Sequence, residues 1–260
     1  MPTVPLVIEP DPDEPEFASV LVDATIAGRA YRLVLDTGAA VTQLDTDEYL
    51  AGLDVVGHDT SSAAFGGRAT DPLVTIPGLA AGELRTGAMD VSRSDRPTGS
   101  RLGMDILGRH RCHFRVDAGI LDVDPLPASP LGYDLLVSAR GHPYVELRWP
   151  GASASGCWDT GAGPTLVDVA FWHGHPELFT AAGTVIGTDG NGEQAETPLL
   201  VMAGPVIGGR AFAPHKAVAV DLSAVNSTLD YPMDVIVGYP TIRQADWLFD
   251  FPARRWALTS

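Results

Sequence analysis

The 260-residue chain carries 33 acidic and 17 basic residues, a formal net charge of −16. That charge repels phosphate backbones and anionic lipid, which argues against nucleic-acid and membrane partners. With 45% hydrophobic and 19% charged residues the balance is that of a globular chain, not a disordered one.

No run approaches the ~20 consecutive apolar residues of a membrane-spanning helix. The start, Met1-Pro2-Thr3-Val4-Pro5-Leu6, has neither the basic end nor the long apolar core of a secretory leader. Two cysteines, Cys112 and Cys157, are too few for a disulfide scaffold and lack the paired spacing of a zinc site. Reduced thiols, a cytoplasmic location and no cofactor or metal are expected. With 28 Gly and 21 Pro, few windows can hold a long helix, and an all-β architecture is predicted.

In chain order, the acidic stretch Glu9 to Glu16 reads as a solvated arm, with a propeptide-like cover of a cleft as the less favoured alternative. Strand-like runs follow at residues 19–26 and 31–35, separated by Ala27-Gly28-Arg29. The second run leads into Leu35-Asp36-Thr37-Gly38-Ala39-Ala40-Val41-Thr42. Phe65-Gly66-Gly67-Arg68 is a hairpin candidate, and Pro72-Leu73-Val74 begins the next apolar run. Leu102-Gly103-Met104-Asp105-Ile106-Leu107 precedes a strand ending at Asp117. The Pro-rich stretch Asp124-Pro125-Leu126-Pro127-Ala128-Ser129-Pro130 then reads as a stiff connector. It sets a boundary between units 1–127, with 1–16 as the arm, and 128–260.

The pattern then repeats. A strand-like run at 144–149 and a Pro150-Gly151 turn lead to Trp158-Asp159-Thr160-Gly161-Ala162-Gly163-Pro164-Thr165, 123 residues after the first copy. Thr188-Asp189-Gly190-Asn191-Gly192 is the second hairpin candidate, before Pro198-Leu199-Leu200. Val237-Gly238-Tyr239-Pro240-Thr241-Ile242 repeats the apolar-Gly landmark, ahead of Trp247-Leu248-Phe249-Asp250. The period far exceeds that of solenoid repeats, so the chain reads as a duplicated unit.

A carboxylate on a tight turn after a buried strand is held rigidly, and the glycine two residues later admits another backbone. Two such turns face to face would bring Asp36 and Asp159 within hydrogen-bond reach, where they must share a proton. The ionised member can take a proton from water while the protonated member donates to a carbonyl oxygen. The hydroxyls of Thr37 and Thr160 could bond across to the opposing turn.

These residues resemble the retropepsin-like aspartic peptidases over roughly residues 17–124 and 133–258. Members of that family of retroviral type are homodimers with one Asp-Thr-Gly per subunit. This chain looks like two such units fused, which implies a bilobal all-β fold and a monomer. The resemblance implies that Asp36 and Asp159 are catalytic, with Thr37, Gly38, Thr160 and Gly161 supporting the active-site loops. Gly103 and Gly238 match the glycines packed behind those loops. Gly66, Gly67, Gly190 and Gly192 occupy the place of substrate-covering flaps. The implied activity is endopeptidase cleavage of a peptide or protein substrate.

Two departures bear on mechanism. Pro164 lacks an N–H, so the second loop cannot bond as the first does. Alanine follows both glycines, where pepsin-like relatives usually carry a hydroxyl that favours the ionised carboxylate. Its loss predicts activity at mildly acidic to neutral pH. Trp158, where the first copy has Leu35, predicts asymmetry between the halves.

Other features read as structural. His173-Gly174-His175 is a surface turn before Pro176, Arg109 to His113 caps the short helix after Gly103, and Cys157 is a small buried filler. The 187–192 stretch lacks the Lys of a phosphate loop and the Glu spacing of a calcium loop. Ser153 and Ser155 have no nucleophile elbow. The alternatives to the peptidase are a non-catalytic peptide-binding module on the same fold and a dimerising interaction domain with an unformed site.

Overall fold

The computed structural model describes residues 2–62, 68–96, 98–126, 131–188 and 192–259. Strands take 52% of the chain and helices 10%, so the fold is all-β. The longest described α-helix is the six-residue Val169–Gly174, and no helix is long and apolar enough to cross a membrane among the described residues.

Local sequence explains the ladders. In strand Ala18–Ile26, Val20, Val22, Ala24 and Ile26 are buried while Asp23 and Thr25 face out, the period of two that a half-buried strand requires. Ala27 and Gly28 both take positive φ, 49° and 78°, and close a two-residue hairpin onto strand Arg29–Leu35. A tight turn of this kind matches the twist of its strands and needs left-handed backbone at both positions.

Most strands fall into two ten-stranded sheets with one order. The N-terminal sheet runs Val55–Ser62, Arg68–Ile76, Met89–Ser94, Gln43–Asp45, Arg101–Leu102, Arg29–Leu35, Ala18–Ile26, Leu79–Ala81, Leu84–Arg85, with Val7–Pro10 on Ala18–Ile26. The C-terminal sheet runs Phe179–Thr188, Gln194–Met202, His215–Val220, Thr165–Asp168, Val235–Val237, Ala152–Trp158, Pro143–Trp149, Val206–Ile207, Arg210–Ala211, with Leu136–Val137 on Pro143–Trp149. Position by position, parallel and antiparallel pairings coincide around Asp36 and Asp159.

A six-stranded sheet joins the halves. At its centre Arg111–Arg115 pairs antiparallel with Trp247–Asp250, with Phe114 opposite Trp247. Phe114, Trp158, Trp247 and Phe249 are fully buried in one aromatic cluster, with ring centroids 4.7 Å apart for Phe114–Trp158 and 4.6 Å for Trp158–Phe249. Trp158 thus packs beneath the second Asp-Thr-Gly loop, an asymmetry that Leu35 does not reproduce.

Three sequence expectations are corrected. The stretch from Glu9 to Glu16 is exposed to solvent apart from Glu14 but is not a free arm: Val7–Pro10 is a strand on Ala18–Ile26, and the buried Glu14 carboxylate lies 2.6 Å from Lys216 Nζ. Thr3–Pro5, before it, pairs with Ile120–Val123. The basic group from Arg109 to His113 does not cap helix Met104–Leu107, which has no basic residue in its last turn. Its members reach acidic partners instead: His110 Nδ1 lies 2.9 Å from Asp124 and Arg111 Nη1 4.0 Å from Asp250. His173 lies in helix Val169–Gly174 and His175 at its end, not in a simple surface turn. The expected boundary after residue 127 falls outside the described residues.

Candidate active site

Each Asp-Thr-Gly loop leaves a buried strand end. Leu35 pairs in parallel with Leu102, and Trp158 with Val237. Asp36 N–H donates to Leu102 O and Asp159 N–H to Val237 O, both at 3.0 Å. Behind each loop, Met104 N–H donates to Ala39 O at 2.8 Å and Tyr239 N–H to Ala162 O at 3.0 Å. The two glycines of the apolar-Gly landmarks permit this approach. A Cβ on Gly103 would stand 2.8 Å from the Val41 carbonyl carbon, and one on Gly238 would collide with the Pro164 carbonyl.

The second tethers differ as the prolines require. Asp105 N–H donates to Ala40 O at 3.1 Å, and its carboxylate accepts from Thr42 N–H at 3.0 Å and Thr42 Oγ1 at 2.7 Å. Pro240 takes the place of Asp105 and has neither group. Thr165 Oγ1 instead shares a hydrogen bond of 2.9 Å with Thr241 Oγ1, which contacts His215 Nε2 at 2.7 Å.

Between the loops, Thr37 N–H donates to Thr160 Oγ1 at 3.2 Å and Thr160 N–H to Thr37 Oγ1 at 3.1 Å. Thr37 Oγ1 donates in turn to Trp158 O at 2.8 Å. Both threonines are buried, so this crossed lattice fixes the separation of the loops.

The lattice sets the buried carboxyls of Asp36 and Asp159 close enough that each alters the other's hold on its proton. Each lies in a cradle made by the other loop's glycine. A Cβ on Gly161 would stand 2.5 Å from Asp36 Cγ, and one on Gly38 2.6 Å from Asp159 Cγ. Asp159 Oδ1 accepts from Gly161 N–H at 2.8 Å and Gly38 N–H at 3.1 Å.

Both carboxyls hold their protons above the usual carboxylate range. Burial is the largest cause at Asp36, opposed by the Arg101 cation, the N–H groups of Gly38 and Ala39, and Asp159. Burial is also the largest cause at Asp159, and the negative charge of Asp36 adds to it. Arg101 therefore breaks the symmetry of the pair: Asp36 is the member favoured as the anion, Asp159 as the acid.

Arg101 escaped sequence reasoning. Its Nη1 lies 3.8 Å from Asp36 Oδ2, and its Nη2 donates to Thr98 Oγ1 at 3.3 Å. His142, also missed, is buried, and burial holds its imidazole below the ordinary histidine range. Cys157 is a buried free thiol, pushed well above its ordinary range first by burial and then by the two aspartates.

Of the flap candidates, Gly66, Gly67 and Gly190 lie outside the described residues. The hairpin stems are long antiparallel ladders, Val55–Ser62 with Arg68–Ile76 and Phe179–Thr188 with Gln194–Met202. Gly192 takes φ +85°, and a Cβ on it would lie 3.5 Å from Thr98 Cγ2. The second hairpin thus reaches the N-terminal half beside Arg101. In return, Arg140 Nη2 donates to Thr60 O of the first hairpin at 2.8 Å.

Among the described residues no cluster of three or more His, Cys, Asp or Glu is arranged to hold a metal ion. Compared with known proteins, the chain matches no family model and no curated sequence.

Proposed function

We propose that the protein is a single-chain aspartic endopeptidase built from two retropepsin-like halves. The carrying observation is the crossed lattice of Thr37 and Thr160, which sets two buried carboxyls close together, each cradled by the opposite glycine. The shared strand order of the two sheets supports the bilobal reading.

In this reading a water molecule lies between the carboxyls. Asp36, the anion beside Arg101, takes a proton from water as the water oxygen bonds to the peptide carbonyl carbon. Asp159 gives its proton to the carbonyl oxygen, which forms a neutral gem-diol. The proton gained by Asp36 then passes to the amide nitrogen, the C–N bond breaks and the diol collapses. The products are a carboxyl and an amine, and Asp159 recovers a proton from the diol. An extended peptide fits between the hairpins by strand pairing.

The test is cleavage of a diverse peptide library from pH 4 to 8, with wild type beside Asp36→Asn and Asp159→Asn. Cleavage by wild type alone is expected. A folded wild type that cuts nothing overturns the reading, and retention of uncut peptides would then favour the binding module.

A further inference from the structure

The two sheets place different chemistry beside their aspartates. Arg101 pairs with Val34 in parallel and with Gln43 antiparallel, one position before the residue opposite Leu35. Ile236 holds the matching place, paired with Cys157 and Leu166, one position before the residue opposite Trp158. The pair flanking Asp36 is therefore Arg101 and Gln43, and the pair flanking Asp159 is Ile236 and Leu166.

The surroundings follow the same division. Gln43 Nε2 and Arg101 Nη2 both donate to Thr98 Oγ1, at 3.0 and 3.3 Å. Ile236 and Leu166 pack instead against an apolar cluster that includes Cys157, Leu199 and Val218. Arg101 is half-buried, and Thr98 lies against Gly192 of the opposite hairpin. A peptide strand between hairpin and dyad passes over the guanidinium on one side of the scissile bond and over Ile236 on the other.

Resting on the endopeptidase reading for the position of the scissile bond, we propose that the substrate is asymmetric. It carries an acidic side chain on the Arg101 side of the cut and an apolar one on the Ile236–Leu166 side. A planar guanidinium suits carboxylate recognition, and a partly desolvated cation gains most from it. Among the described residues Asp36 and Asp45 are opposing charges near Arg101. The site therefore takes one substrate carboxylate, not an acidic run.

The experiment compares kcat/KM for peptides of one frame with Glu–Leu, Leu–Glu, Gln–Leu, Leu–Gln or Leu–Leu at the cut. Wild type is expected to favour one Glu peptide over its Gln counterpart and over Leu–Leu by roughly 10- to 100-fold, the range of a charge-assisted hydrogen bond. Arg101→Ile, the residue of the matching position, should bring that ratio to one or below. Arg101→Lys should keep part of it. The ratio is read because loss of Arg101 also alters the dyad and slows every peptide alike. If Arg101→Ile does not fold, the Glu-to-Gln ratio in wild type decides. Equal or better cleavage of Leu–Leu by wild type overturns the inference. Should no peptide be cut, the endopeptidase reading fails, and fluorescence anisotropy of the same labelled peptides decides the inference: a Glu preference lost in Arg101→Ile keeps it, and no preference removes it.

Discussion

Thr37 and Thr160 each accept the other's backbone N–H, and only Thr37 passes a further hydrogen bond on, to the Trp158 carbonyl. The two threonines are therefore unequal. Thr37→Val strands the Thr160 N–H and the Trp158 carbonyl, whereas Thr160→Val strands the Thr37 N–H. Each buried group left unpaired costs about 1–3 kcal/mol. Urea denaturation should show a larger loss for Thr37→Val than for Thr160→Val, with Thr37→Ser close to wild type. Equal losses would show that the asymmetry carries no energy.

The glycine cradles make a second prediction. Gly38 and Gly161 have no positive φ, so alanine strains neither backbone. What it meets is the opposite carboxyl, 2.6 Å away at Asp159 Cγ or 2.5 Å at Asp36 Cγ. Either Gly→Ala change should lower kcat by about 100-fold or more, the effect of an ångström-scale misplacement of a reacting group. In an Asp159→Gly background the stability penalty of Gly38→Ala should vanish, a coupling that a double-mutant cycle measures. A penalty that persists would place the clash elsewhere.

Sequence showed the dyad and hid its surroundings, for a physical reason. Asp36, Thr37 and Gly38 are contiguous in sequence, and the same three residue types repeat at Asp159, Thr160 and Gly161, so local pattern sufficed. Gly103 and Gly238 were legible for the same reason. Arg101 reaches Asp36 only through parallel pairing of Arg101–Leu102 with Arg29–Leu35, which no local motif announces. Glu14 reads as solvated because its partner, Lys216, lies 202 residues away. The basic group at Arg109 to His113 was misread because its acidic partners, Asp124 and Asp250, are brought to it by the pairing of separate strands.

The dyad also sets a pH dependence of stability. Both carboxyls are raised above their unfolded values, so the folded state binds more protons than the unfolded one. Their contribution is complete below the ordinary carboxylate range and is lost as pH rises through the raised folded values. Asp159→Asn removes the second charge. Its melting temperature should match wild type near pH 4 and exceed it increasingly toward pH 8. A difference that shrinks with rising pH would contradict the direction of the shifts.

Loss of Arg101 should move activity in the same direction. The groups facing Asp36 are Arg101, Asp159 and the neutral Cys157 thiol. Arg101 is the cation that favours the Asp36 anion. Its replacement by Met should shift the acidic limb of the kcat/KM profile upward by about 1–3 pH units, the usual effect of a cation beside a carboxylate. An unmoved limb would mean that the guanidinium does not act on the dyad.

The N-terminal segment is tied to the second Asp-Thr-Gly loop through Phe17. Its ring is buried with Tyr144, Cys157 and Leu199 of the C-terminal half, although it precedes a strand of the N-terminal sheet. The next residue, Ala18, presents its carbonyl oxygen 3.5 Å from where a Cβ on Gly163 would lie. Phe17→Ala opens a cavity beneath that loop and should cost about 3–5 kcal/mol in urea denaturation. Lys216→Ala breaks the Glu14 pair at the same seam, with the Lys216 side chain 29% exposed, and should cost less. Because Cys157 lies two residues before Asp159, the Phe17 cavity should also make the buried Cys157 thiol react faster with a thiol probe. A Phe17→Ala loss below that of Lys216→Ala, with Cys157 still shielded, would show that the segment is held by charge and not by the ring.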